Sequence, residues 1–142
     1  MKTARYICLM KLEFLDDISN GGRFKQVVSE QLVRLYDFGP SQAVRLRDYI
    51  EEYVLKGHKA LDLSTLDFME PVNCHVVFIL SEEDKGLQTR NKLHFSCALT
   101  IASYQQMIYL MEPFCERGFT GFQWLYELDC EIDLLFSPGG TW

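Results

Sequence analysis

Near the end of the chain, carboxylates stand at every second position: Glu127, Asp129, Glu131 and Asp133. On an extended backbone alternate side chains share a face, roughly 6 to 7 Å apart. Charges of one sign at that spacing repel, and no lysine on the same stretch relieves them. Such a row suits several kinds of chemistry. It can form a docking face for a basic partner, drawn in by long-range attraction. With further ligands from elsewhere it could hold a divalent cation or supply a carboxylate pair for hydrolysis. It can also be a solvated face, balanced by a base on a neighbouring strand, for which Lys11 is a candidate.

The other reactive side chains form no motif. His58, His75 and His94 show neither the i, i+4 spacing nor the H-E-x-x-H pattern of a metal site. Cys74 and His75 are neighbours, but adjacent strand residues point to opposite faces and cannot act as nucleophile and base. Five cysteines, at 8, 74, 97, 115 and 130, lack C-x-x-C spacing and mostly lie in apolar runs. They read as buried free thiols of a reducing compartment, not as a disulfide framework or zinc site. Gly21-Gly22 and Gly139-Gly140 match no phosphate-loop pattern. No cofactor and no metal ligand set is expected.

The elements that must position these groups follow from periodicity. Tyr6, Cys8, Met10, Leu12 and Phe14 alternate as in a strand, and 16–22 is a loop. Phe24, Val27, Val28, Leu32, Leu35 and Tyr36 follow helical spacing, which predicts a helix ended by Gly39-Pro40. Ser41 can cap a second helix that runs to Lys56-Gly57, so the two would form a helical hairpin. Residues 58–72 hold at most a short strand closed by Pro71. Residues 74–80 form an apolar strand, 81–88 a polar turn, and 92–101 another strand pairing with the first as a hairpin. Tyr104, Met107, Ile108, Met111, Phe114 and Cys115 mark a third helix, with Pro113 at its end.

Last comes the stretch 122–136, apolar at every second residue from Phe122 to Phe136. It reads as one strand, or two with a bend, packed on one face only. Its polar side carries the four carboxylates, Trp124 lies on its apolar side, and Trp142 is either tucked against the sheet or exposed as an anchor for a partner. Asp48, Glu51 and Glu52 on the second helix could extend the acidic surface. The expected architecture is a single domain, 1–142, of class α+β, a mainly antiparallel sheet with about three helices packed on it.

Charge sharpens the functional expectation. The net charge is −6, which disfavours non-specific nucleic-acid binding. Beyond residue 110 the chain has Glu112, Glu116, Glu127, Asp129, Glu131 and Asp133 against Arg117 alone, so nearly all the imbalance lies there. The run Tyr6 to Met10 is too short for a signal peptide and no stretch approaches a membrane span, which places the protein in the cytoplasm. An aromatic content of 13% argues against disorder.

The sequences Trp124-Leu125-Tyr126-Glu127-Leu128-Asp129 and Ser137-Pro138-Gly139-Gly140-Thr141-Trp142, in a small acidic chain, resemble the immunity proteins of bacterial polymorphic-toxin and contact-dependent inhibition systems. The resemblance implies a non-enzymatic inhibitor that covers a basic, nuclease-like toxin. Glu127, Asp129, Glu131 and Asp133 would supply the attraction, with Trp124 and Trp142 as anchors. The competing expectations are a small enzyme assembled from His75, His94 and the acids of 127–133, or a subunit of a larger assembly joined through an edge strand.

Overall fold

The computed structural model describes residues 9–16 and 31–141. Tyr6 and Cys8 of the expected first strand, most of the expected loop, helix positions 24–30 and Trp142 lie outside the described residues. The fold is α+β. Its strands are β1 (Met10–Asp16), β2 (Gln31–Tyr36), β3 (Leu61–Asp62), β4 (Met69–Pro71), β5 (His75–Leu80), β6 (Gly86–Thr89), β7 (His94–Leu99), β8 (Gln123–Trp124) and β9 (Ile132–Ser137). Its α-helices are α1 (Pro40–Tyr49) and α2 (Ile101–Met111). The first sheet has the order β4-β1-β2-β9-β8 and the second β3-β5-β7-β6.

There are two sheets and both are mixed, so the expected mainly antiparallel sheet is matched only in part. The pairs β1–β2, β3–β5, β6–β7 and β8–β9 are antiparallel, whereas β1–β4, β2–β9 and β5–β7 are parallel. The expected hairpin of 74–80 with 92–101 is in fact the parallel pair β5–β7, in register His75↔His94 to Leu80↔Leu99. Strand β6 lies between them in sequence and pairs with the far side of β7. Within β6 only Leu87 is a large apolar residue, so the stretch reads as a turn until its neighbour is known.

The expected first helix is overturned at its second half, where Gln31–Tyr36 is strand β2. Leu32, Val33 and Leu35 are all buried because β2 is covered on both faces. A strand of that kind loses its period of two, and its apolar residues then mimic helical spacing. Among the described residues it is therefore a strand, not a helix, that leads into α1. Gly39-Pro40 does not stop a helix; it starts α1, with Pro40 in the first turn, where a missing N–H does no harm. The Gly39 N–H donates to Oε1 of Gln42 at 2.8 Å, a cap supplied from inside the helix in place of Ser41. The helix continues as π-helical turns, Ile50–Lys56, and buries Ala43, Leu46, Ile50 and Val54 along one stripe.

Residues 58–72 carry the chain between the sheets, with β3 at the edge of the second and β4 at the edge of the first. The third expected helix is present as α2. Thr100 caps it by accepting from the Ser103 N–H at 3.2 Å, and Pro113 opens a closing 3-10 turn, Glu112–Cys115. Tyr104, Met107, Met111 and Phe114 are buried. Among the described residues no helix is long and apolar enough to cross a membrane. The edge strands β3, β4, β6 and β8 have two to four residues each, which leaves little ladder for edge-to-edge pairing.

One core joins both sheets and both helices. Phe38 meets Phe136 at 4.4 Å and Phe114 at 6.4 Å between ring centroids, while Phe14 of the first sheet meets Phe95 of the second at 4.9 Å. A full burial of such side chains contributes about 1.5–3 kcal/mol each. On the other face of the first sheet, Leu32 and Leu135 form a smaller cluster with Leu15 and Trp124. Beside it Arg34 bonds Glu13 at 2.6 Å, donates to the Gly140 carbonyl at 2.7 Å and stacks on Tyr36. The turn after β9 is thereby fixed. Gly140 has φ +78, and a Cβ there would lie 3.0 Å from Nη1 of Arg34.

Between β6 and β9 the sheets are tied by one hydroxyl. The Leu87 N–H donates to Tyr126 Oη at 3.0 Å, and Tyr126 Oη donates to the Ile132 carbonyl. Burial holds this phenol well above its ordinary pKa, so it remains a neutral donor and acceptor. Gly86, at φ +73, lets the tyrosine approach, since a Cβ there would stand 3.1 Å from its hydroxyl. Tyr126→Phe strands the buried Leu87 N–H and leaves the Ile132 carbonyl only the weak Cys130 Sγ donor, so it should destabilise by about 1–3 kcal/mol. Urea unfolding followed by circular dichroism measures this, and a loss below about 0.5 kcal/mol would show that the tie is not structural.

Candidate functional site

The stretch 122–136 is two short strands joined by a bend. Strands β8 and β9 pair in register Gln123↔Phe136 and Trp124↔Leu135, and residues 125–131 are irregular. The expectation of one buried face is corrected here. Leu125 and Tyr126 are buried in succession, and Leu134, Leu135, Phe136 and Ser137 are all buried because β9 lies between β2 and β8. Two inward residues in a row break the alternation at Leu125, and beyond Tyr126 it resumes, with Leu128 and Cys130 half-buried between the acids. Glu127, Asp129 and Glu131 are therefore exposed on a loop, and only Asp133 sits on a strand, opposite Leu32.

The acids do not form one row, but most of them converge. Glu127, Asp129 and Asp133 line an open groove of about 500 Å³ together with Trp124 and Leu128. Trp124 is held from behind by the Leu32–Leu135 cluster and at its edge by Phe122, 6.3 Å away. A second groove, about 330 Å³, runs between this loop and α2. Glu127 lines it on one side and Asp84 on the other, with Gln106 and Leu110 of α2 between. Among the described residues no lysine, arginine or histidine lines either groove. Glu131 is separated from this set and stands in a different groove, with Lys85, Arg90 and Lys92.

The balancing base expected from β1 is not at the site. Lys11 pairs with Asp37 at 3.3 Å, and β2 separates its strand from β9. Asp48, Glu51 and Glu52 do not extend the acidic surface either. Asp48 is bonded to Arg47 and Glu52 to Lys56, and both line a separate pocket on α1 with Tyr49 and Tyr53.

Asp84 is a site residue that sequence reasoning did not single out. Its Oδ1 accepts from the Thr100 N–H at 2.8 Å, at the start of α2. That hydrogen bond holds its carboxyl below the ordinary value of 3.8. The only signal was the acidic turn Glu82-Glu83-Asp84, whose position beside Glu127 depends on how the second sheet docks on the first.

His75 and His94 do come together. They are register partners on β5 and β7, their rings stacked 5.2 Å apart at 14°. Their surface is the outer face of the second sheet, so the acids of 127–133 and the histidines do not share the acidic grooves. Among the described residues no three His, Cys, Asp or Glu side chains converge on a metal-sized space. The described cysteines are free thiols. Burial pushes the Cys74 thiol up to about 12, and raises those of Cys97, Cys115 and Cys130 as well. None of the four is a thiolate nucleophile at neutral pH.

A disulfide reagent at neutral pH should therefore leave Cys74 and Cys97 unmodified in the folded protein and label both in denaturant. Rapid native labelling of either, followed by mass spectrometry of the peptides, would contradict the packing. Asp84 has a testable pH signature. Its folded pKa is depressed, so its carboxylate stabilises the fold above the unfolded pKa, and that contribution is lost as the pH falls through the folded value. The stability gap between wild type and Asp84→Asn should be full at pH 7 and should shrink once the pH drops below 3.8. A gap in denaturation midpoint that is the same at both ends of that range would refute the assignment. No protein-family model, curated protein or solved structure matches this chain, so its chemistry is read from the site alone.

Proposed function

We propose that the protein is a binding inhibitor of the immunity type, which neutralises a basic, nuclease-like toxin by covering it with the acidic face around residues 124–133. The observation that supports this reading is the groove in which the exposed Glu127 and Asp129 stand beside Trp124 and Leu128, with no cation among the described residues that line it. Glu127 and Asp129 have no salt bridge among the described residues. Uncompensated carboxylates attract a basic surface over about 8–10 Å at physiological ionic strength. The aromatic and aliphatic side chains between them supply the short-range part of binding, in the arrangement of apolar centre and charged rim found at protein interfaces.

The division of labour is specific. Glu127 and Asp129, being exposed, set the association rate and its salt dependence. Trp124, held by the cluster beneath it, resists dissociation. Trp142 belongs to the same proposal as a second anchor.

Affinity capture from the native host, with the double variant Glu127→Lys, Asp129→Lys as the matched bait, tests this. The expected result is a basic protein retained 1:1 by the wild type and lost from the variant, whose toxic or nucleolytic activity the wild type suppresses. Its association rate should fall by at least about tenfold between low and physiological salt. A captured toxin that binds the double variant equally well would refute the acidic face as the interface.

A further inference from the structure

Along β6 and the turn that follows, the charge reverses. Between Asp84 and Glu112 the chain has no acidic residue, yet it has Lys85, Arg90, Lys92 and His94. Other arginines of the fold are committed elsewhere. Arg34 is bonded to Glu13, Arg45 to Asp67 and Arg47 to both Asp48 and Glu112. Lys92 is held by Asp16 at 2.9 Å. Arg90 has no ion pair or hydrogen bond of its side chain among the described residues. It lines an open groove of about 630 Å³ on the outer face of the second sheet, with Gln88, Asn91, His94, Ser96 and Val77. Among the described residues no carboxylate lines that groove.

The hydrogen bonds of the turn decide what His94 presents. Oδ1 of Asn91 accepts from the backbone N–H groups of Leu93 and His94, each at 2.9 Å. The amide nitrogen of Asn91 is thereby turned toward Nδ1 of His94, 3.3 Å away. Nδ1 is then the acceptor, and the neutral ring carries its proton on Nε2. Ligation of a metal through Nε2 would require the opposite tautomer, with two N–H groups facing each other. The stacked His75 ring fixes the plane of the imidazole. His94 is therefore set up as a donor, not as a ligand.

We propose that this groove binds an oxyanion, the phosphate or carboxylate group of a small ligand. Arg90 is its anchor, since a guanidinium fork matches either group with two parallel hydrogen bonds. His94 Nε2–H, the Gln88 amide and the Ser96 hydroxyl are the flanking donors, and Val77 gives the groove an apolar floor. Beyond β6 the cationic edge continues into the groove where Lys85, Arg90 and Lys92 meet the single carboxylate of Glu131. The site is independent of the acidic grooves and stands or falls without them.

The test is a titration of isotope-labelled protein with sodium phosphate and, separately, sodium acetate, each compared with sodium chloride at equal ionic strength. Resonances of the Arg90 Nε–H, the His94 ring and the Ser96 amide report binding, and the rest of the spectrum reports folding. Saturable shifts confined to these groups are expected, weakened about tenfold or more in Arg90→Gln, with partial retention in Arg90→Lys. Saturation by phosphate alone assigns a phosphate site, by acetate alone a carboxylate site, and by both the shared chemistry. Shifts no larger than those from chloride, or unchanged in a folded Arg90→Gln protein, overturn the proposal.

Discussion

The hydroxyl of Tyr126 is the constraint on which the two halves of the molecule depend. Strand β6 ends the second sheet and the start of β9 lies beside it, so each has a backbone group with no strand partner there. A buried N–H or carbonyl without a partner costs about 1–3 kcal/mol. A tyrosine hydroxyl, one donor and two acceptor positions on a rigid ring, satisfies both groups at once. The exposed loop is a consequence of this tie. Because Tyr126 reaches inward directly after the buried Leu125, the backbone leaves the β8 ladder there, and Glu127, Asp129 and Glu131 are exposed on the irregular stretch that follows. The tie adds to the core that joins the two sheets and fixes where the acidic stretch begins.

The same tie explains which parts of the sequence were legible. The helix at 101–115 and the strands at 75–80 and 94–99 have one dominant environment each, so their apolar spacing speaks directly. Where both faces are covered, as in β2 and β9, period-two patterning vanishes. Leu32 beside Val33 and Leu134-Leu135-Phe136 were the signals of that double coverage. The alternation of 122–136 was real in composition but mixed two causes: strand pleat at β8 and β9, and solvent exposure on the loop between them. Leu125 on the polar side of that pattern marked the break.

The candidate site was legible to a similar degree. Glu127, Asp129 and Asp133 share a groove with Trp124, which their spacing had put on the opposite face of the stretch. Glu131 parts from them because the loop turns between Asp129 and Ile132. Asp84 joins through a contact between sheets that no local pattern encodes, and His75 meets His94 only because β5 and β7 are parallel in that register. Local sequence records what a residue is and which way it faces; the docking of one sheet on the other determines its company.

Electrostatically the result is a molecule with two poles. Acids gather on the loop and the 82–84 turn and bases at the two ends of β6, while Arg34 pairs with Glu13 and Lys11 with Asp37 on the first sheet. Leaving charge unpaired only where it is solvated is what desolvation demands, since an exposed carboxylate keeps its hydration while a buried one must be compensated. That arrangement also suits recognition. A partner approaching the acidic pole meets side chains already in water, which costs little on approach, and then a tryptophan whose orientation is fixed by the leucines beneath it. Ordering of a flexible side chain costs about 0.5–1.5 kcal/mol on binding. Trp124 has been spared most of that cost, because its conformation is fixed in folding by the Leu32–Leu135 cluster.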